Sequence, residues 1–304
     1  MKKTLLLFLG LGVMAFTVFL SSCKEDEPVL DPASLVLTPD SASFTGVPGD
    51  VKSIQVVATA PAGFVSLKID KTVGTGTPTV IETVNDTNGD NTETFTFTYT
   101  LLAEEVGETV VLTFDLEETG TAGATEQVTI ITNSPPANRF TEVLLYAPLG
   151  DKSAESFFST NTGLTYSPAE VNASSEVISD DIDFGYYYGV TDEASLASPA
   201  GYESTVFAAQ VSTWSVKNDI LFKSTTLDAS AFSELSTEAD IDEVFAAGAD
   251  EGNIISGLIA GDVIAFQTDA GKDVGSKKGV LLVLEQMGTF NEGDYIKIEV
   301  IVQE

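Results

Sequence analysis

Short runs in which apolar and polar residues alternate narrow the possible folds of this sequence more than any other feature. Between residues 93 and 101, Phe95, Phe97 and Tyr99 alternate with threonines. The run 109–117 repeats the pattern with valine, leucine and phenylalanine at its apolar positions. Because successive side chains of a strand point to opposite faces of a sheet, this period of two predicts strands with one buried face.

Runs of this kind, separated by turn-forming residues, fill the segment 34–133. We predict seven strands there, at residues 35–37, 53–58, 64–69, 79–84, 93–101, 109–117 and 125–132. Seven short strands in about a hundred residues are typical of an immunoglobulin-like β-sandwich. The only cysteine of the chain is Cys23, outside this segment, so we expect packing rather than a disulfide to join the two sheets.

Two adjacent prolines in the segment 134–138 predict a linker, after which a second domain covers residues 139–304. Its clearest strands are predicted at 140–146, 182–188, 263–267, 280–284 and 295–302. Apolar residues recur at near-helical spacing in 228–247, with a turn expected at Ser236 and Thr237. We therefore predict a mainly β protein, in which the immunoglobulin-like sandwich precedes a second β-sandwich or distorted barrel with short helices.

The composition excludes several classes of function. The chain of 304 residues has 46 acidic and 14 basic side chains, a formal net charge of −32 and no histidine. Without histidine there is no Ser-His-Asp triad and no histidine-ligated zinc, and a single cysteine cannot form a thiolate metal cluster. A charge this negative repels phosphate backbones, so we expect no nucleic-acid partner.

Residues 1–22 have the features of a secretory signal peptide. Lys2 and Lys3 precede an apolar run from residue 4 to residue 20, which is also long enough for a membrane-spanning helix. The sequence that ends the run, Leu-Ser-Ser before Cys23, resembles the lipobox of bacterial lipoproteins. The resemblance implies cleavage before Cys23 and attachment of membrane lipid to its thiol, with residues 23–33 as the lipidated tether.

Acidic residues follow Cys23 almost directly. The segment 24–27, Lys-Glu-Asp-Glu, resembles the acidic export signal of surface-exposed lipoproteins of Bacteroidota. That resemblance implies an outer-membrane protein that faces the cell exterior. The alternative is an ordinary solvated tether of charged residues, which any lipoprotein can carry.

Several short segments within residues 139–304 resemble a module that recurs in surface lipoproteins of Bacteroidota. In those proteins an immunoglobulin-like domain often precedes the module. These segments are 156–158 with 162–163, 183–189, 197–199, 261–266 and 279–283. None of them is a catalytic signature. The resemblance implies a β-rich fold, a place on the cell surface and a binding or adhesive role.

Aromatic residues form the first candidate ligand-binding surface. In the run 184–188, alternation places Tyr187 on the face opposite the other rings, so Tyr187 is the candidate for an exposed ring. Trp214, the only tryptophan, is the second candidate. Exposed rings stack on the apolar faces of sugars, which favours an extracellular glycan as ligand, with a protein partner also open. For the run 184–188 we favour the interpretation that the rings pack in the core, and Trp214 is equally suited to a core position.

Oxygen-bearing side chains alternate in the segment 85–91. Asp86, Asn88 and Asp90 have the spacing of a calcium loop, so calcium is the one cofactor that the sequence raises. The glycine lies at the fourth position of the loop instead of the sixth, and the distal glutamate of an EF-hand is missing. The alternative is a plain hairpin tip between two strands, for which Asn-Gly is a strong signal.

Two other acidic groups, 179–183 and 238–243, offer ligands for calcium or a carboxylate pair for glycoside hydrolysis. We expect both to be solvated surface, since 46 carboxylates bring some pairs close by chance. The segment 271–279 contains three lysines and is predicted to be a hairpin loop that neutralises charge locally on an acidic domain.

We therefore predict no catalytic residues and a non-enzymatic, lipid-anchored surface protein with a binding or adhesion role. Two alternatives stay open from the sequence. One is a carboxylate-based polysaccharide hydrolase or lyase, whose chemistry needs neither histidine nor cysteine. The other is a structural or accessory subunit of a surface assembly or of an outer-membrane transporter.

Overall fold

The computed structural model of the chain describes residues 30–40, 43–86, 89–173, 179–272, 275–288 and 293–304. The segment 1–29 lies outside these residues, so the signal peptide and the lipidation of Cys23 stay predictions. The described chain is mainly β, as predicted, with few short helices. None of these helices has the length and apolar character needed to cross a membrane.

The described residues between 34 and 132 form eight strands, which make up the first part of the structure. They are β1 (Ser34–Thr38), β2 (Ser43–Gly46), β3 (Val51–Thr59), β4 (Phe64–Val73), β5 (Thr79–Val84), β6 (Thr92–Thr100), β7 (Thr109–Glu118) and β8 (Ala124–Thr132). One sheet has the order β1-β3-β6 and the other the order β2-β8-β7-β4-β5. Every neighbouring pair is antiparallel except β2 with β8.

The two sheets of this part pack face to face around one apolar core. Phe97 of β6 meets Phe114 of β7 across that core, edge to face, with ring centroids 5.7 Å apart. The alternation predicted for β6 is confirmed, because Phe97 and Tyr99 are buried while the threonines between Glu93 and Leu101 are exposed. Burial of one face of each sheet produces the predicted β-sandwich.

Eleven further strands and four α-helices follow among the residues that the structure describes. The strands are β9 (Asn138–Tyr146), β10 (Phe157–Phe158), β11 (Thr165–Tyr166), β12 (Phe184–Gly189), β13 (Glu193–Ala197), β14 (Leu221–Ser224), β15 (Ala249–Gly252), β16 (Ile254–Ile255), β17 (Val263–Gln267), β18 (Lys278–Met287) and β19 (Tyr295–Val302). The helices are α1 (Pro168–Ala173), α2 (Pro199–Tyr202), α3 (Ala229–Glu234) and α4 (Glu238–Ala247).

These strands form two sheets that also pack face to face. The six-stranded sheet has the order β15-β14-β17-β18-β19-β9, and the five-stranded sheet has the order β11-β10-β12-β13-β16. Phe184 of β12 contacts Phe266 of β17 across the interface, with ring centroids 5.6 Å apart. Within the described ranges, no strand of these sheets pairs with a strand of the first two.

Two helices cover the outer face of the six-stranded sheet. Phe232 of α3 and Phe245 of α4 are buried against Val280 and other apolar residues of that face. The turn predicted at Ser236 and Thr237 is confirmed, because the Thr237 hydroxyl accepts a bond from the first turn of α4 in a capping box. The second part is therefore a β-sandwich with short helices, as predicted.

The only arginine of the chain fixes β9 at the edge of the six-stranded sheet. The Arg139 Nη1 atom lies 2.6 Å from Glu299 Oε1 on β19, and Nη2 donates to the Leu235 carbonyl at 2.5 Å. The guanidinium also stacks on the Phe232 ring, 5.0 Å from its centroid. Arg139 thus connects β9, β19 and the end of α3, and β9 forms one wall of the groove described below.

Candidate binding groove

Both rings predicted to stack on sugars are buried. Tyr187 is 2% exposed and Trp214 is 5% exposed. Both belong to a cluster in which Phe157 lies 4.8 Å from Trp214, between ring centroids. Tyr187 is therefore wrong as the candidate exposed ring, and the favoured interpretation of core packing is confirmed, because the chain between Pro199 and Trp214 covers the second face of β12. Alternation separates the two faces of a strand but does not show whether both are covered.

The buried phenols of β12 are neutral at physiological pH. Burial raises the pKa of Tyr187, and bonds with the hydroxyls of Ser195 and Ser256 offset only part of that effect. Burial, together with the nearby Asp294 carboxylate, also raises the pKa of Tyr186. Neither ring therefore offers an ionised oxygen or an open stacking face to a ligand.

The proposed calcium loop is only partly described. Asp86 Oδ1 accepts from the Gly89 amide at 2.6 Å, and Asp90 Oδ1 accepts from the Thr92 amide at 3.0 Å, whereas Asn88 lies outside the described residues. The hairpin interpretation of this loop is wrong, because β5 and β6 belong to different sheets. Among the described residues, no group of three acidic or cysteine side chains is arranged to hold a metal ion.

A buried ion pair joins two segments that the sequence analysis assigned to the surface. Lys272 Nζ lies 2.7 Å from Asp183 Oδ1, and the two side chains are 4% and 0% exposed. The second carboxylate oxygen accepts from the amide and the hydroxyl of Thr160, both at 2.7 Å. Solvation of Asp183 and surface charge neutralisation by Lys272 are therefore wrong predictions, although β17 and β18 do form the predicted hairpin.

Three adjoining cavities lie along one side of residues 139–304, and we call them together the groove. The first cavity measures about 730 Å³, the second about 410 Å³ and the third about 400 Å³. The first and second share Ala147, Leu149 and Gly293 in their walls. The second and third share Val190 and Val206, so each cavity has a wall in common with the next.

The first cavity lies beside the edge of β9. Tyr146 and Leu164 expose apolar surface to it, with 39% and 58% of their area accessible. Glu142 and Glu155 also line it. Glu155 accepts from the hydroxyl of Thr165 at 2.7 Å, which orients its carboxylate beside the cavity.

Two exposed valines separate the second and third cavities. Val190 lies at the tip between β12 and β13, and Val206 lies in the loop after α2; they are 82% and 90% exposed. The half-buried ring of Tyr188 lines the second cavity. Gly288 lies so close to that ring that a β-carbon at this position would overlap the ring atoms. Large apolar side chains this exposed are typical of binding surfaces when they cluster around a concavity.

The groove is acidic. Glu142, Glu155, Asp192 and Asp294 line its three cavities, and no lysine or arginine is among the lining residues that the structure describes. The Lys297 ammonium, 2.6 Å from Glu142, lowers the pKa of that carboxyl through a hydrogen bond and its charge. A general acid needs a raised pKa, so Glu142 is suited to binding a cation rather than to donating a proton.

Sequence reasoning missed this groove. Its walls come from segments as far apart as Thr141 and Gly293, and they meet only because β9 pairs with β19.

In comparisons with known proteins, no family model matches the chain and no curated protein matches it significantly.

Proposed function

We propose that the protein is a non-enzymatic, lipid-anchored protein of the outer-membrane surface that binds an extracellular ligand in the groove. The observation that carries this proposal is the row of adjoining acidic cavities, with the exposed side chains of Val190 and Val206 between two of them. The lipobox-like sequence before Cys23 supports the anchoring. In this arrangement the sandwich of β1 to β8 spaces the groove from the membrane.

The experiment on binding compares two arginine variants of the full-length lipoprotein in detergent micelles. Leu164→Arg fills the first cavity, whereas Ile259→Arg changes a residue of similar exposure outside the groove. Binding is measured on glycan arrays and on immobilised extracellular proteins, with and without calcium. We expect a ligand whose binding is lost in Leu164→Arg and kept in Ile259→Arg. Equal binding by both variants would show that the groove is not the site.

The anchoring is tested separately in cells. Cys23→Ala removes the thiol that receives the lipid, so we expect it to abolish incorporation of labelled palmitate and exposure of the protein to protease on intact cells. A matched Ser21→Ala variant keeps a small residue and the thiol, and is expected to behave as the wild type. Labelling that persists in Cys23→Ala would contradict the proposed anchor.

One observation favours testing the alternative of a carboxylate-based hydrolase or lyase. Glu142 and Glu155 line the same cavity, as the two carboxylates of a glycosidase do. The lowered pKa of Glu142 opposes its use as the general acid of such a pair and leaves that role to Glu155. We expect no release of reducing or unsaturated ends from polysaccharides. Release that is abolished in both Glu142→Gln and Glu155→Gln would establish the hydrolase or lyase instead.

The role of a structural or accessory subunit is tested by co-purification. A stoichiometric partner that is recovered with the wild type and lost with Cys23→Ala would favour a place in a surface assembly or a transporter. A partner lost instead with Leu164→Arg would belong to the groove.

A further inference from the structure

The edge of the six-stranded sheet forms a wall of the groove. β9 is the last strand of that sheet and pairs on one side only, with β19. Its outer side faces the first cavity. Edge strands with free backbone groups pair readily with another chain, and natural proteins commonly block them with proline, lysine or a covering segment. Along 141–147 neither proline nor lysine is present.

The register shows which backbone groups of β9 point away from β19. Ala147 donates to the Asp294 carbonyl at 2.8 Å, and bonded and non-bonded residue pairs alternate along an antiparallel ladder. The amide and carbonyl of Leu144 therefore point outward, as do those of Tyr146. The Tyr146 amide donates to the Glu155 carbonyl at 3.0 Å, whereas those of Leu144 have no hydrogen-bond partner among the described residues.

A bulge places a carboxylate next to this free edge. The register between β9 and β19 shifts between Ile298 and Val300, and Glu142 has a φ of 57°. Bulges of this kind re-aim side chains at sheet edges. The Glu142 side chain is 72% exposed, and an exposed ion pair such as Glu142–Lys297 is weak enough to exchange its cation for one from a ligand.

We propose that an extended polypeptide segment rich in lysine or arginine adds to the outer edge of β9. Its backbone bonds to the amide and carbonyl of Leu144, and its basic side chains lie beside Glu142 and Glu155. This inference rests on the proposed function, since it identifies the ligand class of the groove. Strand addition takes affinity from main-chain bonds and specificity from alternate side chains, which suits a free edge beside an acidic cavity.

Two other occupants fit the structure less well. A glycan lacks the evenly spaced amides that complement a strand edge, and the rings predicted for sugar stacking, Tyr187 and Trp214, are buried. A second copy of this chain carries the same net charge of −32, so its approach to an acidic groove is opposed by repulsion.

The experiment uses a short peptide in which lysine alternates with valine, titrated into the full-length lipoprotein by calorimetry. One control peptide has glutamate in place of lysine. A second control is N-methylated at every central residue, so that it keeps the charge but has no backbone donors. Leu144→Pro removes the outward amide without removing a bond to β19, and Leu144→Ala keeps that amide.

We expect the lysine peptide to bind and the glutamate peptide not to bind. N-methylation and Leu144→Pro should each weaken binding by about tenfold, because the remaining partner group is left unpaired. Leu144→Ala should bind as the wild type does. If Leu144→Pro fails to fold, the N-methylated peptide still tests the inference on the unchanged protein.

Several results would overturn this inference. They are no binding of the lysine peptide, equal binding of its N-methylated form, or binding of the glutamate peptide. Self-association that Leu144→Pro abolishes would assign the edge to a second copy. A glycan that binds in a manner sensitive to Leu164→Arg, without peptide binding, would overturn the inference and leave the proposed function standing.

Discussion

Among single residues, Lys272 is one whose loss we expect to destabilise the protein strongly. Lys272→Met leaves the Asp183 carboxylate buried without its cation, and breaking one side of a buried ion pair lowers the free energy of unfolding by about 3–5 kcal/mol. Urea denaturation measures this change. Lys277→Met, in the same loop, removes a less buried lysine and should change the free energy by about 0.5 kcal/mol or less.

A double variant tests whether the charge of Lys272 is what stabilises the protein. The double variant Lys272→Met, Asp183→Asn removes both charges, and the new amide oxygen can still accept from Thr160. We therefore expect the double variant to be more stable than Lys272→Met alone. A double variant that is equally unstable would mean that Lys272 acts through packing rather than through its charge.

A second buried carboxylate predicts how stability depends on pH. Burial alone would raise the pKa of Glu105, but donors from Lys71, Tyr99 and the Leu102 amide outweigh it and hold the pKa below its ordinary value of 4.5. The stabilisation is therefore present above pH 4.5 and is lost as the pH falls through the lower folded value. Glu105→Gln should be less stable than the wild type at pH 7, and the difference should shrink on acidification.

The exposed neighbour provides the control for this measurement. Glu104→Gln removes a charge at a solvent-exposed position, so it should not reproduce the pH-dependent difference. Urea denaturation of the three proteins between neutral and acidic pH measures both effects. If the difference in free energy of unfolding between wild type and Glu105→Gln widened towards acidic pH, it would contradict a lowered pKa of Glu105 in the folded protein.

Buried polar residues were the part of the core that the sequence could not predict. Alternation identified Phe97 and Tyr99 as buried because the period of two is local. The partners of Asp183 and Glu105 are distant instead: Lys272 lies 89 residues from Asp183, and Lys71 lies 34 residues from Glu105. Such pairs form only when segments far apart in the chain come together, and no local pattern records that contact.

Among the secondary-structure elements, β18 is followed directly by a glycine, Gly288, which leaves room for the Tyr188 ring in the wall of the groove. In Gly288→Ala the new methyl group would overlap the Tyr188 ring, so the ring must move or the strand must shift. Overpacking of this kind costs about 1–3 kcal/mol. Urea denaturation should show that loss, and ligand binding in the second cavity should weaken.

Gly150 supplies a matched control for that substitution. It lines the same cavity, but a β-carbon there meets nothing within 4 Å. Gly150→Ala should therefore leave stability and binding almost unchanged. Equal effects of the two alanine variants would show that the Tyr188 ring is not held by Gly288.

Element length explains which strands the sequence predicted. β5, β17 and β19 begin and end at the predicted residues. The prediction omits β13, which has five residues, and six strands of two to four residues, which are too short for a periodic pattern: β2, β10, β11, β14, β15 and β16. The small strands β10 and β11 position the far wall of the first cavity, so missing them also meant missing the groove.

For the protein as a whole, the net charge of −32 governs how stability responds to salt. Compaction brings the carboxylates closer together, and their repulsion opposes folding. Raising sodium chloride from about 10 mM to about 150 mM shortens the screening length from about 30 Å to about 8 Å. We therefore expect the melting temperature to rise with salt, by about 2–4 °C for each 1 kcal/mol gained.

Two effects limit the expected rise of the melting temperature with salt. The exposed ion pairs, such as Lys68–Glu117 and Lys278–Asp242, are weakened by the same screening, but each contributes only about 0–1 kcal/mol. Near the isoelectric point of about 4.1 the net repulsion vanishes, so the rise with salt should disappear there. Calorimetry at both pH values measures the effect. A melting temperature that falls with salt at neutral pH would mean that local ion pairs outweigh the overall repulsion.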